Sequence, residues 1–484
     1  MERAIINENI KKFHQSEATC PFLDGQLRQD MGEFGETEAV EKVLKGMYNC
    51  PDTKNNLTPL FLNQCKQQSP EIKMIRTPDQ YKRSWKMMKE RTSSHDLHFR
   101  HFKAACEHKE HLFVHYIMAE IPFCTGFCPT CWKKATNVMI LKKAGLFNIE
   151  KLRTLCLFQA DHNHNNKFLG QEAMKYTVKE ENIAAEQYSV TGKKSISHAL
   201  NKTLLFDNMR YQKASMSLTS CNLKSCYDRI VHSPAMMALR SVGVPKEPMI
   251  SFFSSLQEVK YYTRTAYGLS EETFGGLEEG YTQKPQGSGQ GNGAAPQIWA
   301  ILSSKMFGIL HDLGLATLVQ TPISNTGLWL VGFAYVDDSN LFTYSLDHNI
   351  PETVAKMQQI VTAWEQAAKV TGGAIAPVKC WWYLIHFEWD EFGQWKYGTK
   401  DSNEYQISVK DSENNLQQIQ RLNSDEAQEM LGVYISPNGD NKCQYEHLLK
   451  KAIDLGERIR TCYTYRHEAW LGLYCKTRFY FIVS

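Results

Sequence analysis

The stretch Phe333–Asn340, FAYVDDSN, contains two adjacent aspartates between apolar residues. The longer segment LWLVGFAYVDDSNLFTY has apolar runs around a polar centre, which predicts a β-hairpin with Asp337 and Asp338 at its tip. Adjacent carboxylates that are partly withdrawn from water repel each other and shift toward protonation. A divalent cation removes this repulsion, and Mg²⁺ prefers one or two carboxylates together with phosphate oxygens. Taken alone, the pair is more typical of an ordinary polar turn, where adjacent aspartates are common.

A second segment of interest, CNLKSCYDRI, covers Cys221–Ile230. It continues the run ASMSLTSCNL, whose alternation predicts a strand. One face of that strand would carry Met216, Leu218, Ser220 and Asn222. The following residues, KSCYDRIVH, are predicted to begin a helix.

The remaining periodic segments complete the prediction of the fold. GNGAAPQIWAILSSKMFGIL predicts a helix with Pro296 in its first turn, where proline is tolerated. PETVAKMQQIVTAWEQAAKVTGG predicts a helix that ends at a glycine pair, and SISHALNKTLLFDNMRYQ predicts a helix after a serine cap. LRTLCLF and CWWYLIHFEW are predicted strands, whereas WKKATNVMILKKAG fits a strand or a helix. The order indicates an α+β fold in which helices cover one face of a sheet.

Composition sets broad limits on the class of protein. The chain has 484 residues, a formal charge of +3 and 14 cysteines. No run approaches the ~18 apolar residues of a membrane span, and the N-terminal residues lack a signal peptide's apolar region. The cysteines are therefore expected to be reduced thiols, in a nuclear or cytoplasmic protein.

One cysteine cluster raises the question of zinc. CTGFCPTCW places Cys124, Cys128 and Cys131 near the spacing of zinc ligands, but a tetrahedral site needs a fourth ligand. A zinc-stabilised adaptor is a minor hypothesis on this basis. DHNHNNK, at 161–167, is interpreted as a polar loop rather than a metal site.

Several segments, in their order along about residues 122–470, resemble the reverse transcriptase family, most closely its non-LTR, LINE-like type. WKKATNVMILKKAGLFNIEKLRTLCLF and EQYSVTGKKSISHAL are similar to its fingers, and NLKSCYDRIVH to its first palm motif. GSGQGNGAAP, from Gly287 to Pro296, is similar to the second motif, FAYVDD to the third, TGGAIAPVKCWWYLI to the fourth, and LGVYIS to the primer grip.

The resemblance implies a right-hand polymerase with fingers, palm and a partial thumb, the palm being a helix-covered antiparallel sheet. It divides the chain into an N-terminal helical extension (1–121), fingers (122–210), a palm with the catalytic motifs (211–390), and a primer grip with a truncated thumb (391–484). It implies RNA-templated DNA synthesis, with an RNA template, a DNA primer and dNTP as partners and Mg²⁺ or Mn²⁺ as cofactor. It says nothing about oligomeric state.

The resemblance also implies roles for individual residues. Asp337 and Asp338 would be the metal ligands, and Lys379 would protonate the leaving pyrophosphate, although a surface lysine is an equal alternative. The nucleotide-binding residues would be Tyr227, Gln290, Gly291, Lys143 and Arg153. Their alternatives are a core aromatic for Tyr227, a helix-start glycine for Gly291, and a solvated basic face for Lys143 and Arg153.

The chain departs from the family at Asn222. The first palm motif begins in the family with an aspartate that binds both metal ions, and here an asparagine stands in its place. Asp228 follows in the same segment and is not expected to substitute. The short thumb-like end, with no endonuclease or RNase H signature, suggests a decayed retroelement copy or a truncated gene. Catalysis is therefore expected to be impaired, and a non-catalytic nucleic-acid-binding protein with a polymerase fold is the alternative.

Overall fold

A computed structural model describes residues 55–66, 69–89, 93–94, 97–141, 152–190, 192–265, 268–269, 273–275, 286–320, 326–399 and 405–461. Of the described residues, 48% are helical and 21% are in strands, which agrees with the predicted α+β class. Packing divides it into two compact units, and neither is continuous in sequence. The first comprises 1–183, 224–305 and 367–373, and the second comprises 184–223, 306–366 and 374–484. The four polymerase segments named above remain a prediction.

The α-helices of the described residues are α1 (Thr58–Gln64), α2 (Pro78–Met87), α3 (Phe99–Ala105), α4 (Lys109–Thr125), α5 (Ala160–Lys179), α6 (Ser195–Gln212), α7 (His232–Ser241), α8 (Lys246–Gln257), α9 (Ala295–Asp312), α10 (Ile350–Val370) and α11 (Lys442–Thr461).

The strands are β1 (Lys134–Leu141), β2 (Leu152–Leu157), β3 (Ser215–Asn222), β4 (Lys260–Thr265), β5 (Gly268–Leu269), β6 (Phe274–Gly275), β7 (Thr317–Gln320), β8 (Gly327–Leu330), β9 (Gly332–Tyr335), β10 (Asp338–Ser345), β11 (Trp381–Ile385), β12 (Phe387–Trp389), β13 (Trp395–Tyr397), β14 (Ser408–Lys410), β15 (Leu416–Gln418), β16 (Gln420–Leu422), β17 (Gln428–Met430) and β18 (Val433–Ile435).

The first unit contains a sheet of order β2-β1-β4-β5, with β6 also paired to β4. β1 is antiparallel to β2 and parallel to β4. α2 begins with a capping box between Thr77 and Gln80, and Pro78 occupies its first turn, where no backbone N–H is needed. α2 also carries Trp85, which is fully buried and stacks on Phe102 of α3. This aromatic packing anchors the N-terminal helices.

The second unit is built on a sheet of order β16-β11-β3-β10-β9. The central strand β3 is antiparallel to both β10 and β11, whereas β11 and β16 are parallel. α6 packs on the face that carries Met216 and Leu218, together with Phe333, Phe342 and Tyr383 of the neighbouring strands. The predicted strand β3 and the predicted β9–β10 hairpin are thus both present.

The sequence predicts helices on one face of the sheet, and the structure shows that both faces of the central strand β3 are buried. Ser217, Thr219 and Cys221 point away from Met216 and Leu218, and all three are fully buried. Small side chains of this kind often face solvent. They also permit close packing, which explains how this second face of β3 can be buried.

Three local predictions also differ from the structure. The residues after β3 form a short 3₁₀ helix, Cys226–Arg229, because Ser225 adopts a left-handed conformation (φ 47°) and the chain restarts as α7 only at His232. Ser195 is the first residue of α6 rather than its cap. The expected loop at 161–167 lies within α5.

The polar part of α5 is helical because its side chains find partners inside the first unit. Asp161 accepts a hydrogen bond from the indole of Trp132 at 2.8 Å, and His164 contacts Ser84 Oγ at 2.7 Å. The buried guanidinium of Arg76 donates to Asn165 at 2.9 Å. Polar composition alone indicates a loop, whereas these distant partners make a buried helix possible.

Within the described residues, no helix is both long enough and apolar enough to cross a membrane.

Candidate carboxylate site at the β9–β10 hairpin

The hairpin brings Asn222 and Asp338 together. Asp338 is the first residue of β10 and pairs with Tyr335 of β9 on one side and with Asn222, the last residue of β3, on the other. Directly opposed residues in an antiparallel pair have Cβ atoms about 4.5–5.5 Å apart and project from the same face. The position expected to carry an acid therefore lies beside one of the two carboxylates.

The turn that joins β9 to β10 consists of Val336 and Asp337. Val336 has a φ of 59°, in the left-handed region that a β-branched residue rarely adopts. The paired strands on either side impose this conformation and position Asp337 at the tip. Strained backbone of this kind is concentrated at functional sites in proteins.

Burial dominates the electrostatics of Asp338. Burial raises the pKa of its carboxyl group, the neighbouring Asp337 raises it further, and Lys379 opposes both. Lys379 is exposed and ends the short 3₁₀ turn Pro377–Lys379. Lys379 thus offsets the raised pKa of Asp338 only in part, and a bound cation would stabilise the ionised carboxylate further.

The backbone of Asn222 is held from both sides by the segment 375–380. Ala376 N–H donates to the Asn222 carbonyl at 2.9 Å, and Asn222 N–H contacts the thiol sulfur of Cys380 at 3.3 Å. Leu223 forms an isolated bridge with Ile375. The side-chain amide of Asn222 has no hydrogen-bond partner in the part of the chain that the structure describes. Its oxygen is therefore available as a ligand.

The donor set at this site is two carboxylates and one amide oxygen. Magnesium accepts such oxygen donors together with water and phosphate oxygens. No group of three or more histidine, cysteine, aspartate or glutamate side chains that could hold a metal exists among the described residues. The residues present fit a divalent cation by chemical type, but they supply one negative charge fewer than a set of three acids would.

Tyr227, Gln290 and Gly291 belong to the first unit, whereas Asn222, Asp337, Asp338 and Lys379 belong to the second. Within the first unit, the loop Gly287–Gly291 packs on the 3₁₀ helix that carries Tyr227. Ser288 N–H donates to the Tyr227 carbonyl at 2.8 Å, and the Gln290 side chain donates to Asp228 at 3.4 Å. Asp228 is almost completely buried and accepts this bond from its own unit.

Gly291 is required by the packing of the chain itself. Its φ is 114°, and a Cβ atom at this position would overlap the carbonyl oxygen of Cys156 in β2. The Gln290 carbonyl accepts a bond from Cys156 N–H at 2.7 Å, and the Gly291 carbonyl accepts one from Asn163 at 3.1 Å. The resemblance implies that Gly291 binds nucleotide, but these contacts explain the need for a glycine without a ligand.

The structure describes one of the two basic residues that were expected to bind triphosphate. Arg153 is exposed on β2, opposite Ile140 of β1, so its guanidinium is accessible to solvent. Lys143 lies outside the described residues. The proposed phosphate-binding role of both residues stays a prediction.

The cysteine cluster does not form a metal site among the described residues. Cys124 and Cys131 are exposed, Cys128 is buried, and none of the three forms a disulfide. They belong to no group of three potential ligands in the described ranges. The zinc hypothesis therefore has no support.

Sequence reasoning missed the residues that support the hairpin. Cys380 was seen only as the start of a strand, yet its sulfur contacts the Asn222 backbone. Lys202 of α6 is fully buried, and its amine donates to Asn340 of β10 at 3.2 Å and lies 4.7 Å from the ring centre of Trp381. Burial lowers the Lys202 pKa to about 7. A lysine in an amphipathic helix gives no sequence signal of such burial.

No protein-family model matches the chain, and no curated protein matches it either. The reverse transcriptase resemblance therefore rests on the motifs and their order alone.

Proposed function

We propose that this chain is a reverse transcriptase-type, RNA-directed DNA polymerase of retroelement origin, with nucleotidyl transfer impaired by Asn222. One observation carries the proposal: Asn222 and Asp338 are directly paired across β3 and β10, beside the Val336–Asp337 turn. The resemblance to reverse transcriptases predicts that these two segments, which are far apart in the sequence, lie side by side in the fold. An Asn222 remote from the aspartates would have removed the basis of the proposal.

A second line of support is the surroundings of the pair. Lys379, assigned to the fourth motif, acts on the carboxyl group of Asp338. The segment just before it holds the backbone of Asn222. Three of the motifs therefore converge on one small region of the second unit.

Asp337, Asp338 and the amide oxygen of Asn222 would hold magnesium or manganese. When bound, the metal activates a primer 3′-hydroxyl and neutralises charge on the triphosphate and pyrophosphate. Asn222 keeps the shape of an aspartate and orients one oxygen, but it contributes no charge. The protein's own residues would therefore still position the reactants. They would be less effective in stabilising the charge that develops on the triphosphate during transfer.

The size of the impairment follows from Coulomb's law. One charge pair at ~4 Å with an effective dielectric of ~20 interacts by about 4 kcal/mol. At about 1.36 kcal/mol per tenfold change in rate, this corresponds to about a thousandfold. The chain is expected to extend a primer barely, if at all.

The decisive experiment is primer extension on an RNA template with dNTP, with Mg²⁺ or Mn²⁺, for the unaltered chain and for Asn222→Asp. We expect the aspartate variant to be faster by about a hundred- to a thousandfold, since it restores one charge interaction. Asn349→Asp is the matched control, because it adds the same charge at the exposed start of α10 and should change nothing.

Adding Asp337→Asn to the Asn222→Asp variant should abolish the recovered activity. Equal rates for the unaltered chain and Asn222→Asp would show that residue 222 is not at the catalytic centre. That result would end the proposal.

The neutral residue at position 222 also favours a second function, nucleic-acid binding without turnover. Backbone binding depends on basic residues and weakens steeply with salt, and it does not require the missing acid. Salt-dependent binding of a primer–template duplex, without extension by either form, would favour this second function over the first.

A further inference from the structure

A short segment between α5 and α6 binds the outer edge of β9. β9 is the last strand of its sheet, and the outer edge of a last strand carries backbone groups that no strand pairs. Here Gln187 forms a parallel bridge with Ala334 of β9. Ala334 N–H donates to the Glu186 carbonyl at 2.8 Å, and Tyr188 N–H donates to the Ala334 carbonyl at 2.8 Å. β9 is therefore held on both sides, shortly before the turn that carries Asp337.

The side chain of Glu186 attaches the same segment at a second point. Glu186 is 1% exposed, and its Oε1 accepts a hydrogen bond from Val331 N–H at 3.2 Å. The same oxygen lies 2.7 Å from Nε2 of His311. Val331 directly precedes β9, and His311 lies in the last turn of α9. This buried carboxylate thus joins the end of α9 to the start of β9, and a carboxylate buried so deeply needs such partners.

The contact between Glu186 and His311 is strongest when His311 is protonated. The hydrogen bond to Glu186 raises the pKa of His311 above its ordinary value, the charges of Glu186 and Asp312 raise it as well, and partial burial opposes them. A hydrogen bond between two charged groups is stronger than one to a neutral imidazole. Because the folded-state pKa is raised, this stabilisation is complete at low pH and is lost as pH rises through that pKa.

Two further charged groups lie near the pair. Asp312 follows His311 in α9. Lys193, in the loop before α6, is influenced by the charge of Glu186, but its amine donates to two backbone carbonyls of the 185–187 segment, at 3.1 and 3.4 Å. In the part of the chain that the structure describes, His311 is therefore the basic side chain in direct contact with the Glu186 carboxylate.

We propose that Glu186 and His311 are positioning residues for the β9–β10 turn, and that protonation of His311 fixes the placement of Asp337 more tightly. They act through β9, which leads directly into the turn. Val336 in that turn has a left-handed φ of 59°, a conformation that persists only where the flanking strands impose it. The effect on catalysis rests on the proposed polymerase function, whereas the effect on the turn does not.

Hydrogen–deuterium exchange of the unaltered chain at about pH 6 and about pH 9, on either side of an ordinary or raised histidine pKa, tests the placement of the turn. After correction for the intrinsic exchange rate, peptides that cover 331–341 should exchange about tenfold faster at the higher pH. The reason is that loss of a hydrogen bond to a charged group shifts a local opening equilibrium by about that factor.

Two variants remove the titration and keep polar side chains. Glu186→Gln removes the negative charge from a side chain of the same shape, and His311→Gln removes the group that titrates. Each should abolish most of the difference in exchange between the two pH values, and each should exchange at pH 6 about as fast as the unaltered chain does at pH 9.

His348→Gln is the matched control, because it replaces an exposed histidine just beyond the other end of β10. The full pH response of 331–341 should remain in this variant. Exchange across α11 in the same samples reports a general loss of stability and should not change in any of the three variants.

The effect on catalysis is measured in the Asn222→Asp background. Addition of His311→Gln should lower primer extension about tenfold at pH 6 and leave it unchanged at pH 9, each relative to Asn222→Asp alone at the same pH. A merely structural loss would lower extension at both pH values. The comparison at equal pH removes the effect of pH on the reaction itself.

Exchange of 331–341 that does not respond to pH, or a response that survives both glutamine variants, would overturn the positioning role. A response in exchange with the same effect of His311→Gln on extension at both pH values would also overturn it, because the pair would then hold the strand without positioning the reacting groups. Absence of extension by Asn222→Asp at every pH would contradict the polymerase proposal instead. In that case the exchange of the turn alone would decide whether the pair places Asp337.

Discussion

The carboxyl group of Asp338 is held between opposing influences. Burial and Asp337 raise its pKa, and Lys379 lowers it. The direct neighbour of Asp338 across β3 is a neutral amide rather than an acid. An aspartate at position 222 would add repulsion that only a bound cation could offset. The asparagine therefore makes this hairpin tip less dependent on a metal ion than a site with three acids would be.

Stability should depend on pH through Asp338. Its folded-state pKa lies above the unfolded value of about 3.9, so its contribution is fully present below that pH and is lost as pH rises through the folded pKa. The variant Asp338→Asn has no carboxyl group at this position and therefore does not lose this stability as pH rises. In EDTA-containing buffer, urea unfolding should show the variant to be more stable than the unaltered chain at pH 7, with the difference vanishing near pH 3.5.

The control for this measurement is Asp347→Asn, an exposed aspartate just beyond the other end of β10. It should leave the pH dependence of the unfolding free energy unchanged. A variant Asp338→Asn that is less stable than the unaltered chain at pH 7 would mean that the carboxylate is stabilised in the fold, contrary to the burial argument.

At the scale of elements, the loop Gly287–Gly291 connects three parts of the first unit. Its backbone binds the 3₁₀ helix through Ser288, β2 through Gln290 and α5 through Gly291. Gly287 shows the same crowding as Gly291, since a Cβ there would lie 2.6 Å from the Asp228 carbonyl oxygen. These glycines therefore fix how the elements pack, whatever else the loop binds.

Gly291→Ala should destabilise the protein by about 2 to 4 kcal/mol, because the added Cβ overlaps the backbone of β2 and the positive φ is strained. Gly314→Ala is the matched control. Gly314 also has a positive φ, of 67°, but no atom lies within 4 Å of its added Cβ, so only about 1 kcal/mol should be lost. Urea unfolding measures both losses, and equal values would refute the steric explanation.

At the scale of the whole molecule, the cysteines of the described residues form no disulfide and differ chiefly in burial. Burial raises the pKa of Cys65, Cys106, Cys128 and Cys380 to about 11. Cys156 and Cys221 are fully buried, and burial raises their pKa values well above the usual range. Because the thiolate is the reactive form, these side chains should be inert in the folded state.

Brief labelling of the native protein with iodoacetamide, followed by peptide mass spectrometry, should find three of the described cysteines modified. They are Cys124, Cys131 and Cys443, which are exposed. The buried thiols should become labelled only after unfolding. Addition of zinc should not protect Cys124 or Cys131. Protection would revive the zinc hypothesis.

Local patterns in the sequence determined much of the element structure. Alternation predicted β3 and the β9–β10 hairpin, and Pro296 in a first turn correctly marked the start of α9. Period and turn chemistry act over a few residues, so one chain segment contains the information. The same reasoning failed at 161–167, where a helix is stabilised by partners such as Trp132, Ser84 and Arg76.

The sequence by itself thus determined the adjacent aspartates, the asparagine at position 222 and the strands that carry them. Only the tertiary structure decided that Asn222 faces Asp338, that both sides of β3 are buried, and that Gly291 is needed for contact with β2. Strand register, burial and steric overlap depend on residues far apart in the chain. They are fixed by the packing of the whole molecule and have no local signature.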